Sequence, residues 1–306
     1  MTGAPLPTGA TTVVPVEATD GATDTVTIRE AKTEGQHIRR AGEDVTAGTT
    51  VLRTGQVLTP AALGLAAALG LGELSVIPRQ RVLVLSTGTE LVAPGTPLQP
   101  GQIYESNAVM LAAAVRDAGA DVTVAPMTSD DVEVFRGTLR EHTDQADLVI
   151  TTGGVSAGAY EVVKDALSGT VDFVKVAMQP GMPQGAGRSA EGTPIVTLPG
   201  NPVSALVSFE VFVRPALRAA MGLPDTERPR RQAVLTEELT SPRGKRQFRR
   251  GVFTPGSGTE PDTVTGYGPP ASHHLRWLAS ANCLLELDED TDKVAAGSRV
   301  QVWDLR

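Results

Sequence analysis

Thr151-Thr152-Gly153-Gly154-Val155-Ser156-Ala157-Gly158 follows the apolar run Leu148-Val149-Ile150 and precedes a helical pattern from Tyr160 to Leu167. The octapeptide therefore belongs at the carboxyl end of a strand, where open α/β sheets hold their ligands. Adjacent glycines accept positive φ and carry no Cβ, so backbone N–H groups can turn toward a phosphate or another oxyanion. Thr151, Thr152 and Ser156 supply hydroxyls beside them. A ligand-free βα turn makes the same local demands, so one loop of this kind does not decide the matter. A second loop bears on it. Thr193 to Leu198 is another short apolar strand, and Pro199-Gly200-Asn201-Pro202 leads directly into the helical run Val203 to Met221. Asn201 falls at the N-cap and Pro202 at the first helical position, both preferred residues there. Plain helix capping is the alternative to a helix that aims its free amides at a ligand.

A third strand, Arg81 to Leu85, runs into Ser86-Thr87-Gly88-Thr89-Glu90-Leu91, which repeats the hydroxyl and glycine pattern and adds a carboxylate. Around these loops the chain alternates. Helices are expected at Tyr104 to Asp117 and Asp131 to His142, and strands at Asp121 to Pro126, Asp147 to Thr151 and Val171 to Ala177. Such alternation implies right-handed crossovers and a mainly parallel sheet covered on both faces, an α/β fold. Past Leu223 the helical pattern stops. Strands are expected at Gln232 to Leu239, Phe248 to Thr254, Asp262 to Gly266, Asn282 to Leu287 and Arg299 to Trp303, making a small C-terminal β domain. The first residues, rich in turn chemistry, lead to strands at Thr11 to Val16 and Thr25 to Arg29, a partial N-terminal β region. Pro60 to Leu69 is a short helix with Thr59 as its N-cap. The resulting division is residues 1–44, a connector over 45–78, the α/β domain over 79–222 and the β domain over 223–306.

The chain has 306 residues, enough for a sizeable core, and a formal net charge of -8. That charge argues against non-specific nucleic-acid binding, which needs a basic field. Cys283 is the sole cysteine, so neither an intrachain disulfide nor a thiolate metal cluster can form. Its apolar flanks place it in the core. No apolar run approaches a membrane span and no basic-then-apolar leader opens the sequence, so the expected location is cytoplasmic with no membrane partner.

Ser86 to Leu91, Ser106-Asn107, Thr151 to Gly158 and Leu198-Pro199-Gly200-Asn201-Pro202-Val203-Ser204-Ala205, in that order, resemble the molybdopterin molybdenumtransferase family. The resemblance implies a molybdopterin-binding α/β domain. It also implies a reaction in which molybdate is inserted into adenylylated molybdopterin, with Mg2+, and AMP is released. Carried over residue by residue, it puts catalytic and metal-ligating carboxylates at Glu90, Asp130 and Glu161 and a catalytic lysine at Lys175. Glu161 stands where the family has Asp, one methylene shorter. The cofactor-binding positions it implies are Thr2, Thr87, Gly88, Ser106, Asn107, Thr152, Gly153, Gly154, Ser156, Pro199, Gly200, Asn201, Ser204, Arg250 and Ser272. Gln179 and Met182 occupy positions that carry lysines in other members, a loss of positive charge for which Arg249, Arg250 or a partner chain could compensate. His273-His274 is not expected to hold a metal, because neighbours on a strand point to opposite faces.

The family has a segment with an Asp-Gly-Tyr-Ala motif ahead of the stretch matching Met1-Thr2-Gly3-Ala4-Pro5, and no such motif occurs here. The chain is therefore expected to be weak or inactive by itself, and a homodimer is expected of the longer form. Two other functions fit parts of the pattern: a molybdopterin adenylyltransferase on the same pterin-binding fold, and a non-catalytic pterin-binding or anchoring module.

Overall fold

The computed structural model describes residues 3–30, 32–154 and 162–306. It contains two compact units, Met1–Leu74 and Ser75–Arg306. In the first, helix α1 (Pro60–Ala68) starts as expected: Thr59 accepts a hydrogen bond from Ala62 N, and Pro60 occupies the first turn. The two expected strands do not form. A 3-10 turn covers Val16–Ala18, an isolated bridge joins Thr19 and Ile28, and Gly35 N and Val13 N bond to the Thr11 and Gln36 carbonyls without forming a ladder. Val16, Val26 and Ile28 are all exposed. A two-stranded ribbon that covers no apolar face has little to hold it.

The second unit is built on a six-stranded sheet. Its strands are β1 (Arg81–Ser86), β4 (Asp121–Val124), β5 (Leu148–Thr152), β6 (Val171–Lys175), β8 (Pro183–Arg188) and β9 (Pro194–Leu198), in the order β4-β1-β5-β9-β8-β6. The first four are parallel, whereas β8 runs antiparallel to β9 and β6 antiparallel to β8. Between β1 and α2 (Asn107–Asp117), a two-residue pair β2 (Leu91–Val92) and β3 (Ile103–Tyr104) closes the first loop. Sequence patterning missed β8, because Gly185 and Gly187 lower strand propensity. The glycines are required by packing: a Cβ on Gly185 would lie 2.2 Å from Thr197 Oγ1, and one on Gly187 would lie 2.0 Å from the Thr170 carbonyl.

Both sheet faces are covered, which accounts for the unbroken apolar run of β1. Val82 and Val84 join Leu111, Val115, Phe209 and Leu217 on one side. Leu83 and Leu85 meet Phe135, Leu139 and Val163 on the other, under α3 (Val132–Thr143) and α4 (Val162–Ala166). Asp131 caps α3 by accepting from Glu133 N and Val134 N. The single helix expected over Val203 to Met221 is divided into α5 (Pro202–Ser208), a π-helical turn at Phe209–Val213 and α6 (Arg214–Ala220). Pro215 lacks an N–H and cannot continue a regular helix, and the wider turn absorbs that gap.

The remaining strands close on themselves. Around the ring run β10 (Arg230–Leu235), β16 (Arg299–Asp304), β14 (Cys283–Leu287), β12 (Arg246–Thr254) and β13 (Thr263–Gly266), with β13 paired to both β12 and β10. Two short strands, β11 (Leu239–Thr240) and β15 (Lys293–Val294), pair beside the ring, and α7 (Leu275–Ala279) precedes β14. The two-residue strand β7 (Met178–Gln179) leaves the α/β region to pair with Arg246 and Gln247 of β12, so the barrel and the sheet meet along one seam.

A partly buried ion cluster fastens the segment that links them. Arg228 donates to Glu210 at 2.9 Å and to Asp117 at 2.7 Å, and Arg214 donates to Asp117 at 2.9 Å. Burial opposes the ionised Asp117, but the charges and hydrogen bonds of Arg228 and Arg214 outweigh it and hold its pKa below the ordinary aspartate value. Its contribution to stability is therefore present above about pH 4 and lost as the pH falls through the lower folded-state pKa.

Arg228→Met would leave Glu210, whose side chain is 3% exposed, without its principal cation. A loss of about 3 kcal/mol in urea unfolding is expected. Cys283 is fully buried, and desolvation, followed by the Asp304 charge, pushes its thiol up to about 12. The native protein at pH 8 should not react with Ellman's reagent over minutes, and one thiol per chain should react once it is unfolded.

Candidate functional site

The carboxyl ends of β1, β5 and β9 open into a crevice of about 1220 Å³. Thr87, Gly88, Glu90, Ser106, Asn107, Asp130, Thr152, Gly153, Gly154, Lys175, Pro199, Gly200, Asn201, Ser204 and Ser272 all line it. Thr2, Ser156 and Glu161 lie outside the described residues.

The glycine loops are used differently from the simplest expectation. Gly153 N donates to the Leu198 carbonyl at 3.3 Å, Thr87 N to Thr152 O at 3.1 Å and Gly88 N to Thr128 O at 3.1 Å. These amides lace the loops to one another instead of pointing at a ligand. The need for glycine at 153 is one of approach: φ is +94°, and a Cβ would lie 2.4 Å from the Thr87 carbonyl. Asn201 occupies the N-cap of α5 without a side-chain hydrogen bond, and Val203 N is satisfied by the carbonyl of Ser272 at 3.0 Å. A loop of the barrel thus caps a helix of the sheet domain.

The start of α2 ties the three loops together. Asn107 Nδ2 donates to Thr152 Oγ1 at 2.9 Å and to the Gly200 carbonyl at 2.7 Å. Glu105 Oε1 accepts from Ser86 Oγ at 3.0 Å and from Ala108 N at 2.7 Å. Ser106, at the N-cap position, makes no side-chain cap. Glu105 caps α2 in its place, and sequence reasoning missed it because the motif drew attention to Ser106-Asn107.

Acidic groups gather around Thr89. Asp130 Oδ2 accepts from Thr89 N at 3.1 Å and Oγ1 at 2.7 Å. The adjacent Glu90 carboxylate lies over Gly88, where a Cβ would meet Glu90 Oε2 at 2.7 Å. Two carboxylates on one rim, with an oxygen of Asp130 left over, suit a hard divalent cation that completes its shell with water and phosphate. Among the described residues no three His, Cys, Asp or Glu side chains are grouped to hold a metal by themselves.

The crevice is also lined by Lys175, Lys245 and Ser272. Lys164 also lines the crevice, and neither it nor Lys245 was singled out from sequence. Lys245 comes to the site because the next residue, Arg246, donates its N–H to the Ala177 carbonyl and pairs in register with Met178. Lysine is thus present beside the uncharged Gln179 and Met182. Arg250 does not line the crevice, contrary to the expectation that it meets the ligand. Its guanidinium donates to the carbonyls of Pro269, Ala271 and His274, which fixes the loop bearing Ser272. Burial, then the neighbouring Arg249 charge, lowers the Arg250 pKa below the usual guanidinium value. His273 and His274 lie ahead of α7 and not on a strand, with their rings edge to face at 4.4 Å.

Fold and crevice together define an α/β protein that receives its ligand at the carboxyl ends of parallel strands, with a closed β barrel supplying part of the wall. Residues 83–219 match the probable molybdopterin binding domain, residues 1–70 the MoeA N-terminal region (domain I and II) and residues 232–305 the MoeA C-terminal region (domain IV). The chain belongs to the molybdopterin molybdenumtransferase family. It is 69% identical to molybdopterin molybdenumtransferase 2 of Mycobacterium tuberculosis, over 100% of this chain and 76% of the relative. It is 36% identical to the Haemophilus influenzae molybdopterin molybdenumtransferase, over 99% of this chain and 75% of that one. The crystal structure of a molybdopterin biosynthesis MoeA protein from Pyrococcus horikosii superposes with a TM-score of 0.73 at 25% identity, covering 98% of this chain and 73% of that one.

Gly153→Ala should cost about 2 kcal/mol or more, because the methyl meets a backbone carbonyl and the residue must hold positive φ. Thermal unfolding checks the prediction. Gly169→Ala, also at positive φ (+80°) but with nothing within 4 Å of the added methyl, should cost less.

Proposed function

We propose that the chain takes adenylylated molybdopterin and molybdate, places the metal on the dithiolene sulfurs and releases AMP. One observation carries the reading: Glu90 and Asp130 share a single crevice with Lys175, Lys245 and Ser272. The proposed division of labour follows from charge. Glu90 and Asp130, with Glu161 as the third position implied by the motif, would hold Mg2+. Magnesium, when bound, would neutralise phosphate oxygens at the phosphoanhydride. Lys175 and Lys245 would bind anionic oxygens of phosphate or molybdate, and Ser272 would donate its hydroxyl to the same group. The loops laced at Gly153 and Gly200 would keep the dinucleotide-like substrate in one orientation while its anhydride is broken.

The lysine at position 245 favours an active enzyme over a non-catalytic binding module, since it restores positive charge beside Gln179 and Met182. The seam between β7 and β12 favours molybdenum insertion over adenylyl transfer, because the barrel completes the crevice wall. A cytoplasmic location and a homodimer in which Thr2 reaches a partner's site complete the proposal.

The test is release of AMP from adenylylated molybdopterin, with enzyme in excess and with molybdate and Mg2+ varied separately. Release that requires both is expected, and Asp130→Asn should slow it at least 100-fold. Lys245→Met should raise the molybdate concentration needed for half-maximal rate by about tenfold, the worth of one charge-assisted hydrogen bond. AMP release that proceeds equally without molybdate or without Mg2+ would overturn the reading.

A further inference from the structure

Glu105 lines the crevice and is only 5% exposed. Its Oε1 is taken up by Ser86 Oγ and Ala108 N. Among the described residues Oε2 accepts no hydrogen bond, and no lysine, arginine or histidine lies within 4.0 Å of the carboxylate. A desolvated carboxylate without a cation or a full set of donors is costly, so such a group persists where something else supplies a donor. A second observation lies two residues along: Asn107 Oδ1 is a buried acceptor with no partner, while Nδ2 of the same side chain is engaged twice. Glu105 and Asn107 both line the crevice, and each carries an acceptor oxygen with no partner among the described residues.

Among the described residues Glu105 does not group with Glu90 and Asp130 as a three-ligand set for a cation. A phosphate or molybdate oxygen would be repelled. What fits is a neutral edge made of N–H donors. The pterin ring carries such an edge, a ring N–H next to an exocyclic amino group with no acceptor between them. Adenine places a ring-nitrogen acceptor beside its amino group, which a carboxylate oxygen disfavours.

We propose that Glu105 is a substrate-binding residue that accepts N–H hydrogen bonds from the pyrimidinone edge of the pterin through Oε2, with Asn107 Oδ1 beside it. This assignment rests on the functional reading above and adds the group that selects the pterin half of the substrate. It also gives one side chain two duties: Oε1 holds the loop after β1 to α2, and Oε2 meets the ligand.

Glu105→Gln separates the two duties. The amide oxygen can still accept from Ser86 and Ala108, while the amide nitrogen turns a donor toward the pterin's donors. Affinity is measured with two probes, molybdopterin and AMP, alongside the melting temperature. Molybdopterin binding is expected to weaken about tenfold or more, as for a lost hydrogen bond to a charged group, with AMP binding changed less than twofold. Ser86→Ala, which breaks one bond of the staple and leaves Oε2 in place, should weaken molybdopterin binding far less. An E105Q protein that binds molybdopterin normally, or that loses AMP and molybdopterin equally, overturns the assignment. So does a Ser86→Ala loss equal to that of E105Q, which would trace the effect to the staple. If the unmutated protein releases AMP as proposed and E105Q binds normally, only the Glu105 assignment falls. If the unmutated protein binds no molybdopterin, both readings fall.

Discussion

A single amide side chain holds the ligand-facing rim in register. Asn107 Nδ2 reaches the loop after β5 through Thr152 and the loop after β9 through the Gly200 carbonyl, bridging segments 45 and 93 residues away in sequence. Thr152 Oγ1 passes the connection on to the Pro199 carbonyl at 3.2 Å. Two residues earlier, Glu105 ties the same turn to the loop after β1. Parallel strands bring their carboxyl ends to one side of a sheet, but the loops beyond them share no ladder. Without cross-bonds they would move independently. The start of α2 adds side-chain cross-bonds to the backbone ones made by Thr87, Gly88 and Gly153.

The second dependence lies between sheet and barrel. Strand β7 joins β12, Ser272 O caps Val203 N, and Arg250 gathers three carbonyls of the Pro269 to His274 loop. These contacts bring Lys245 and Ser272 into the same crevice as Glu90 and Asp130. A crevice that holds both carboxylates and lysines can take a divalent ion and an oxyanion together. This is also how a chain of formal charge -8 can receive an anionic substrate: the needed cations are local, so the net charge is no obstacle. Behind the seam, the cluster of Arg228, Glu210, Asp117 and Arg214 fastens the link between the two parts. The π-helical turn at Phe209–Val213 contributes Glu210 to it.

The loop motifs were legible because each depends on local chemistry. Apolar runs ending in hydroxyl and glycine residues give strands with open carboxyl ends, Thr59 caps α1, and Cys283 with its apolar flanks is buried. The order of β and α segments followed from hydrophobic period alone. From that order came a mainly parallel sheet covered on both faces, as observed.

Other features depended on neighbours distant in sequence, and only the tertiary structure decided them. Strand β8 is hidden in sequence because its glycines serve contacts with Thr197 and Thr170. The strands expected before residue 30 fail because no face there is covered. Arg250 turned inward because three carbonyls meet it. Lys245 reached the crevice because Arg246 pairs with Met178, and Glu105 became the cap of α2 because Ser86 lies within reach. A motif specifies what a loop can donate or accept; which of those groups remain available to a ligand depends on the partners that folding brings to them.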